Sequence, residues 1–182
     1  MMTLTHDQML AQWKLRHYME PLREDCEVTR YDGVNVDKLI ALEMQDWYLH
    51  LLDTAPLKMV PLTDLANETA QIDRPETGAV VVKLPENVRR VVAVNIEGCP
   101  QDIVPITDMT DYRVELQKSE YSRGGRCEPV AVMSAGGTLT VYGEDESGKL
   151  PVVEHIYAVV LPEANTYIFD ESALSTIPMV EI

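Results

Sequence analysis

The chain has 182 residues, 46% hydrophobic and 25% charged, with 30 acidic against 15 basic side chains and a formal net charge of −15. A chain this long buries roughly 70% of its unfolded surface, so its core needs neither metal nor disulfide, and its composition excludes disorder. General nucleic-acid binding needs a basic face and a membrane helix needs about 20 apolar residues in a row; the sequence offers neither.

The opening "MMTLTHDQMLAQWKLRH" lacks the basic and apolar regions of a signal peptide, so none is expected. Thr5 with Gln8 three residues later forms a capping box, and Met9, Leu10, Trp13 and His17 follow at helical spacing up to Pro21. Asn35 caps a second helix in which Ile40, Met44, Trp47 and Leu51 make one stripe, widened by Leu39, Tyr48 and Leu52 and stopped by Pro56. Residues 1–56 therefore read as a helix pair joined through "CEVTRYDGVN", with both tryptophans as core anchors.

Residues 57–77 read as a connecting segment with Pro61, Pro75 and a helical turn near Leu62–Asn67. From Gly78 the hydrophobic period changes from 3.6 to 2. "GAVVVKLPENVRRVVAVNIEG" predicts two strands broken at Leu84–Asn87, the second with Val92, Val94 and Ile96 on one face. "DYRVELQ" predicts a strand with Tyr112, Val114 and Leu116 inward, and "LPVVEHIYAVVLP" a central strand apolar on both faces. The sequence thus predicts an α+β fold: an N-terminal helix pair followed by an antiparallel β-sandwich or partial barrel of five to seven strands over 78–170. Residues 171–182 are expected as a short helix and an extended tail.

Within the β region, "YSRGGRCEPVAVMSAGGTLTVYGEDESG" raises the question of a phosphate loop. Neither "RGGR" nor "SAGGT" has the required spacing, and each leads into a strand-like run rather than a helix. Gly136-Gly137 instead predicts a two-residue hairpin. Its register pairs Ser134 with Leu139 and Val132 with Val141, and sets Val130, Val132, Leu139 and Val141 on one face. "GEDESG" lacks the alternating acidic pattern of a calcium loop and reads as a solvated turn.

The residues that carry chemistry do not assemble into a motif. Cys26, Cys99 and Cys127 are widely spaced and read as reduced thiols, and His6, His17, His50 and His155 lack zinc spacing. There is no G-x-S-x-G elbow; Ser119, Ser122 and Ser134 sit at turns. Cys127 lies beside Arg126 without a placed histidine. His155 reads as a hydrogen-bonded core residue; a hydrolase or isomerase would pair it with Glu154 or Asp170. No catalytic residue, cofactor or metal is expected, and the basic pairs Arg89/Arg90 and Arg123/Arg126, with Tyr121, are the candidate interface.

Two segments resemble the sheet region of phage head–tail adaptor proteins, the tail-tubular or gatekeeper-type ring components. "LPENVRRVVAVNIEG" is similar to a pattern LPxxxRRVxxVxxxG through Leu84, Pro85, Arg89, Arg90, Val94 and Gly98. "RGGRCEPVAVMSAGGTLTVY" is similar to an arginine-glycine segment leading into PxAxxxxxGxLxVY through Gly124, Pro129, Ala131, Leu139, Val141 and Tyr142. The resemblance covers about residues 78–145, and "GEDESG" stands where the family has a proline-rich strand end. It implies a non-enzymatic virion subunit, present in the host cytoplasm during assembly, that docks on the portal and tail proteins and forms a homo-oligomeric ring. DNA would pass through such a ring without sequence-specific binding, and acidic walls would keep it from sticking. The alternative is a non-catalytic β-sandwich module that binds a carbohydrate or peptide.

Overall fold

The computed structural model describes residues 1–16, 35–117, 119, 121, 122, 125, 128–145 and 147–178. The chain forms two compact units: Met1–Pro61 with Leu161–Ile182 (unit 1), and Leu62–Val160 (unit 2), which is inserted into unit 1 along the sequence.

Unit 1 holds β1 (Met2–Thr5), α1 (His6–Arg16), α2 (Val36–Thr54), β9 (Thr166–Phe169) and a 3-10 turn at Glu171–Thr176. The capping box forms as expected: the Thr5 amide donates to Gln8 Oε1 at 3.0 Å and the Gln8 amide to Thr5 Oγ1 at 3.4 Å. Asn35 Oδ1 caps α2 by accepting from the Lys38 amide at 3.2 Å. Ile40, Met44, Trp47, Tyr48, Leu51 and Leu52 are buried along one side of α2, whereas Leu39 lies outside the stripe and is exposed. That stripe packs against Tyr167 and Phe169 of β9, which pairs antiparallel with β1. Trp13 meets Trp47 edge-on at 5.6 Å, so both tryptophans are core anchors.

Unit 2 holds seven strands among the described residues: β2 (Thr63–Asp64), β3 (Gln71–Arg74), β4 (Ala79–Lys83), β5 (Val88–Ile96), β6 (Val130–Ser134), β7 (Thr138–Tyr142) and β8 (Val153–Val160). They form a four-stranded sheet ordered β3-β4-β7-β6 and a three-stranded sheet ordered β2-β8-β5, all antiparallel. The chain changes sheet at Leu84–Asn87, and β8 is the central strand of its sheet. Val80, Val82, Leu139 and Val141 from one sheet meet Val94, Ile96, Ile156 and Ala158 from the other in a single core. The segment 103–106 links the sheet edges. Ile103 exchanges two backbone bonds with Val94 of β5, and Ile106 bridges β6 in parallel at Val132. At the opposite side Gln71 uses its side-chain amide like a strand, donating to the Val153 carbonyl at 2.8 Å and accepting from its amide at 3.2 Å. The α+β class with sandwich-like sheets is therefore realised.

Besides Leu39, four features of the backbone fold depart from the sequence reading. The compact units divide at 61/62 and 160/161, not at 56, 77 and 170. Residues 161–170 go with the helices because the aromatic stripe of α2 needs the apolar face of β9. Residues 71–74, expected as connector, form edge strand β3. "DYRVELQ" is not a strand but a helix, α3 (Tyr112–Gln117). Asp111 caps it, accepting from the Arg113 amide at 2.9 Å, and local side-chain capping overrides a two-residue alternation this short. Val114 is buried as expected, but Tyr112 and Leu116 are exposed, and Gln117 is buried in their place.

The fourth is the hairpin. Ser134 pairs with Thr138 and Ala131 with Val141, so the loop holds three residues, Ala135 to Gly137, and the register differs by one from the two-residue turn. Gly137 alone adopts a positive φ, +69°, as the three-residue loop with a left-handed last residue requires. A one-residue slip exchanges the faces of β6. Ala131 joins Leu139 and Val141 in the main core, while Val130 and Val132 turn to a second cluster with Ile106 and Val114. Both faces of β6 are therefore covered.

Candidate functional site

The short helix α3 exists because of the acidic turn before it. Asp108 Oδ1 accepts from the Thr110 amide (2.9 Å) and hydroxyl (2.7 Å), and Asp111 holds Arg113 through both carboxylate oxygens at 3.1 and 2.8 Å. The Thr110 hydroxyl holds the Asp108 carboxyl below its ordinary pKa, and the Arg113 side chain does the same for Asp111. This turn sets the direction of α3, so that Val114 and Gln117 go inward while Tyr112 and Leu116, four residues apart, go outward.

Beside α3 lies a groove of about 690 Å³, walled by the 99–106 segment, α3 and the start of β6. Pro100, Ile103, Val104, Ile106, Tyr112, Leu116, Pro129 and Val130 contribute its apolar surface; Cys99, Asp102, Arg113 and Glu128 are among the polar groups. Large apolar side chains stand exposed in this stretch of chain: Val104 (72%), Met109, Tyr112 (71%), Leu116 and Tyr121 (98%). Of these five, Val104, Tyr112 and Leu116 line the groove, so its wall carries exposed apolar side chains.

The chain then turns back: the Ser122 hydroxyl donates to the Leu116 carbonyl at 3.0 Å. Gly125, at φ +59°, lies so close to the 143–145 segment that an added Cβ would stand 2.9 Å from the Glu144 carbonyl. Its role is close backbone approach, not phosphate binding. Asp145 Oδ1 accepts from the Ser147 amide and hydroxyl and the Lys149 amide, closing "GEDESG" as a side-chain-capped turn.

Of the expected interface residues, Tyr121 is exposed in this stretch, and Arg123 and Arg126 lie outside the described residues. Arg89 is exposed and Arg90 half-buried on β5. They precede Val94, where the groove segment crosses, by four or five residues, on the order of 15 Å of strand. The groove and the arginine pair of β5 are thus separate places. Cys26, Cys127 and His17 also lie outside the described residues; Cys99 is an unbridged thiol.

His155 is the second place where chemistry gathers, and it differs from expectation. Along β8, Ile156 and Ala158 face the core, so His155 and Tyr157 face away from it; His155 is bonded but exposed. Its partner is Asp64, not Glu154 or Asp170: Nδ1 lies 2.7 Å from Asp64 Oδ2. Asp64 Oδ1 also accepts from the amides of Ile156 (3.0 Å) and Ala66 (3.1 Å). Burial pushes the Asp64 carboxyl up, but the His155 and backbone hydrogen bonds outweigh it and hold its pKa below the ordinary value. An ionised carboxylate only accepts, so the His155 Nδ1 carries the proton. The ring stacks on Tyr157 at 5.6 Å and 13°, and Asn95, across the ladder, donates to Asp102 at 3.3 Å. Asp64 was missed because it belongs to a two-residue strand; its signal is "TDLANE", an aspartate two residues before a turn. Asp170 instead accepts from Ser172 at the start of the last 3-10 turn.

Among the described residues no group of three or more metal-ligating side chains comes together, and no helix is long and apolar enough to cross a membrane. No protein-family model matches the sequence, and the curated proteins hold no match to it.

Proposed function

We propose that this chain is a structural adaptor subunit of a phage head–tail connector, working by docking rather than by catalysis. It would bind the portal and tail proteins and its own copies in a ring. The observation that carries this reading is the groove of unit 2, whose wall exposes Val104, Tyr112 and Leu116 on a β scaffold, a contact surface of the kind a docking protein needs. The resemblance over residues 78–145 and the helices-then-sheets order support it, as does an acidity that suits a conduit for DNA. The test is to mix the chain with the portal protein encoded nearest to it and view the particles by negative-stain electron microscopy. An added layer on the portal ring is expected; a bare portal at micromolar concentrations of both would sink the reading.

Tyr112 and Tyr121, the two most exposed tyrosines among the described residues, favour a second reading, a non-catalytic module that captures a peptide or carbohydrate on an aromatic surface. A glycan and peptide array decides it: binding that Tyr112→Ala and Tyr121→Ala abolish would replace the adaptor reading.

A further inference from the structure

Unit 2 is entered by the chain at residue 62 and left at residue 160. The incoming strand β2 and the outgoing strand β8 are neighbours, with Thr63 opposite Ala158 and Asp64 opposite Tyr157. This ladder has only two residue pairs, extended by the Leu65 amide donating to the Ile156 carbonyl at 2.9 Å. By contrast β8 pairs with β5 along seven positions. Backbone pairing therefore holds β2 weakly; Leu65, buried in the core, and the side chain of Asp64 supply the rest. Asp64 binds Ile156 and His155 on β8 with its two oxygens, and the Ala66 amide of its own turn.

We infer that Asp64 is a releasable clasp on the neck of unit 2: its loss frees β2 from β8 while the sandwich of β3 to β8 stays folded. Elements held by few backbone bonds open locally, below the free energy of global unfolding. Leu65, next to Asp64, adds one side chain to this core, and the remaining strands keep the rest of it through Val80, Val82, Leu139, Val141, Ile96 and Ile156. The clasp acts at the place where the chain passes into and out of the unit, so it sets how firmly those two crossings are tied together. The inference does not rest on the adaptor reading.

The test is amide hydrogen exchange by NMR on the full chain, comparing wild type with Asp64→Ala and His155→Gln. Three amides report the clasp: Leu65, Ala66 and Ile156. Val80 and Val141 report the sandwich, and the emission of Trp13 and Trp47, both in unit 1, reports that unit separately. In Asp64→Ala, where Ala66 and Ile156 lose their acceptor directly, the Leu65 amide is the reporter and is expected to exchange about tenfold faster or more, with sandwich amides and the tryptophan unfolding curve unchanged. His155→Gln alters an exposed side chain, so it leaves the core intact even if Asp64→Ala does not fold; it should accelerate the same amides severalfold. Clasp amides at wild-type rates in His155→Gln, or sandwich amides accelerating in step with them, would overturn the inference.

Discussion

Trp47 stands edge-on to Phe169, with ring centroids 5.6 Å apart and planes at 89°. One residue comes from α2 and the other from the last strand, so this contact ties the two sequence-distant parts of unit 1 across the inserted unit. Phe169 is fully buried. Phe169→Ala is expected to cost about 3–5 kcal/mol, read as a lower denaturant midpoint of tryptophan emission.

The three-residue hairpin makes an asymmetric prediction about its two glycines. Gly137 sits at φ +69° and Gly136 does not, and a Cβ at either would meet open space. Gly137→Ala should therefore cost about 1 kcal/mol, whereas Gly136→Ala should be neutral or slightly stabilising. A two-residue turn with both glycines left-handed would make the two equally costly, so paired denaturation curves discriminate the registers.

Gly125→Ala meets both obstacles at once, a left-handed φ and a carbonyl 2.9 Å from the new Cβ. Its cost should exceed that of Gly137→Ala, at roughly 1–3 kcal/mol. Urea midpoints of the two variants in parallel check the order; an equal or smaller loss for Gly125→Ala would mean the contact yields.

Acid should weaken the fold through carboxylates whose pKa values are held low in the native state: Asp64, Asp108, Asp111 and Asp170. Each favours the folded state above its unfolded value, about 3.9, and this contribution is lost as pH falls through the depressed native value. Denaturant midpoints should thus fall below about pH 4, and Asp64→Asn should lessen that fall.

The exposed residues should separate docking from stability. Tyr112→Ala and Tyr121→Ala, at 71% and 98% exposure, should leave the unfolding free energy within about 0.5 kcal/mol of wild type. Tyr112→Asp with Leu116→Asp should abolish attachment to the portal ring, as seen by co-sedimentation. Docking that survives this pair would move the contact surface elsewhere.

Local signals carried well from sequence to structure. The Thr5/Gln8 box, the Asn35 cap and the buried stripe of α2 each depend on residues within a turn or two of one another, which is where spacing has force. Gly136-Gly137 and "GEDESG" were legible as turns, but the hairpin was not legible in its register. Whether Ala135 belongs to the loop or the strand depends on where β6 finds Ile106 and Val114, partners distant in sequence. The α3 error has a similar cause: "DYRVELQ" alternates for too few residues to outweigh the cap at Asp111. Short strands such as β1, β2 and β3 owe their existence to a neighbour already in place, so their own residues announce little. The groove was not legible, because its walls come from the 99–106 segment, the outer face of α3 and the start of β6, which only the fold brings together. The His155–Asp64 pair joins residues 91 apart, and only the fold brings them together.

Because Thr63 lies directly opposite Ala158, the whole of unit 2 hangs from a gap of about 5 Å between its two ends, the ordinary separation of paired strand residues. A domain held at ends so close behaves as a cassette: it can be lengthened, shortened or exchanged without altering the span its host must bridge. Variation in such a protein should therefore concentrate inside the insert, while the aromatic stripe of the host remains under the constraint of its own packing.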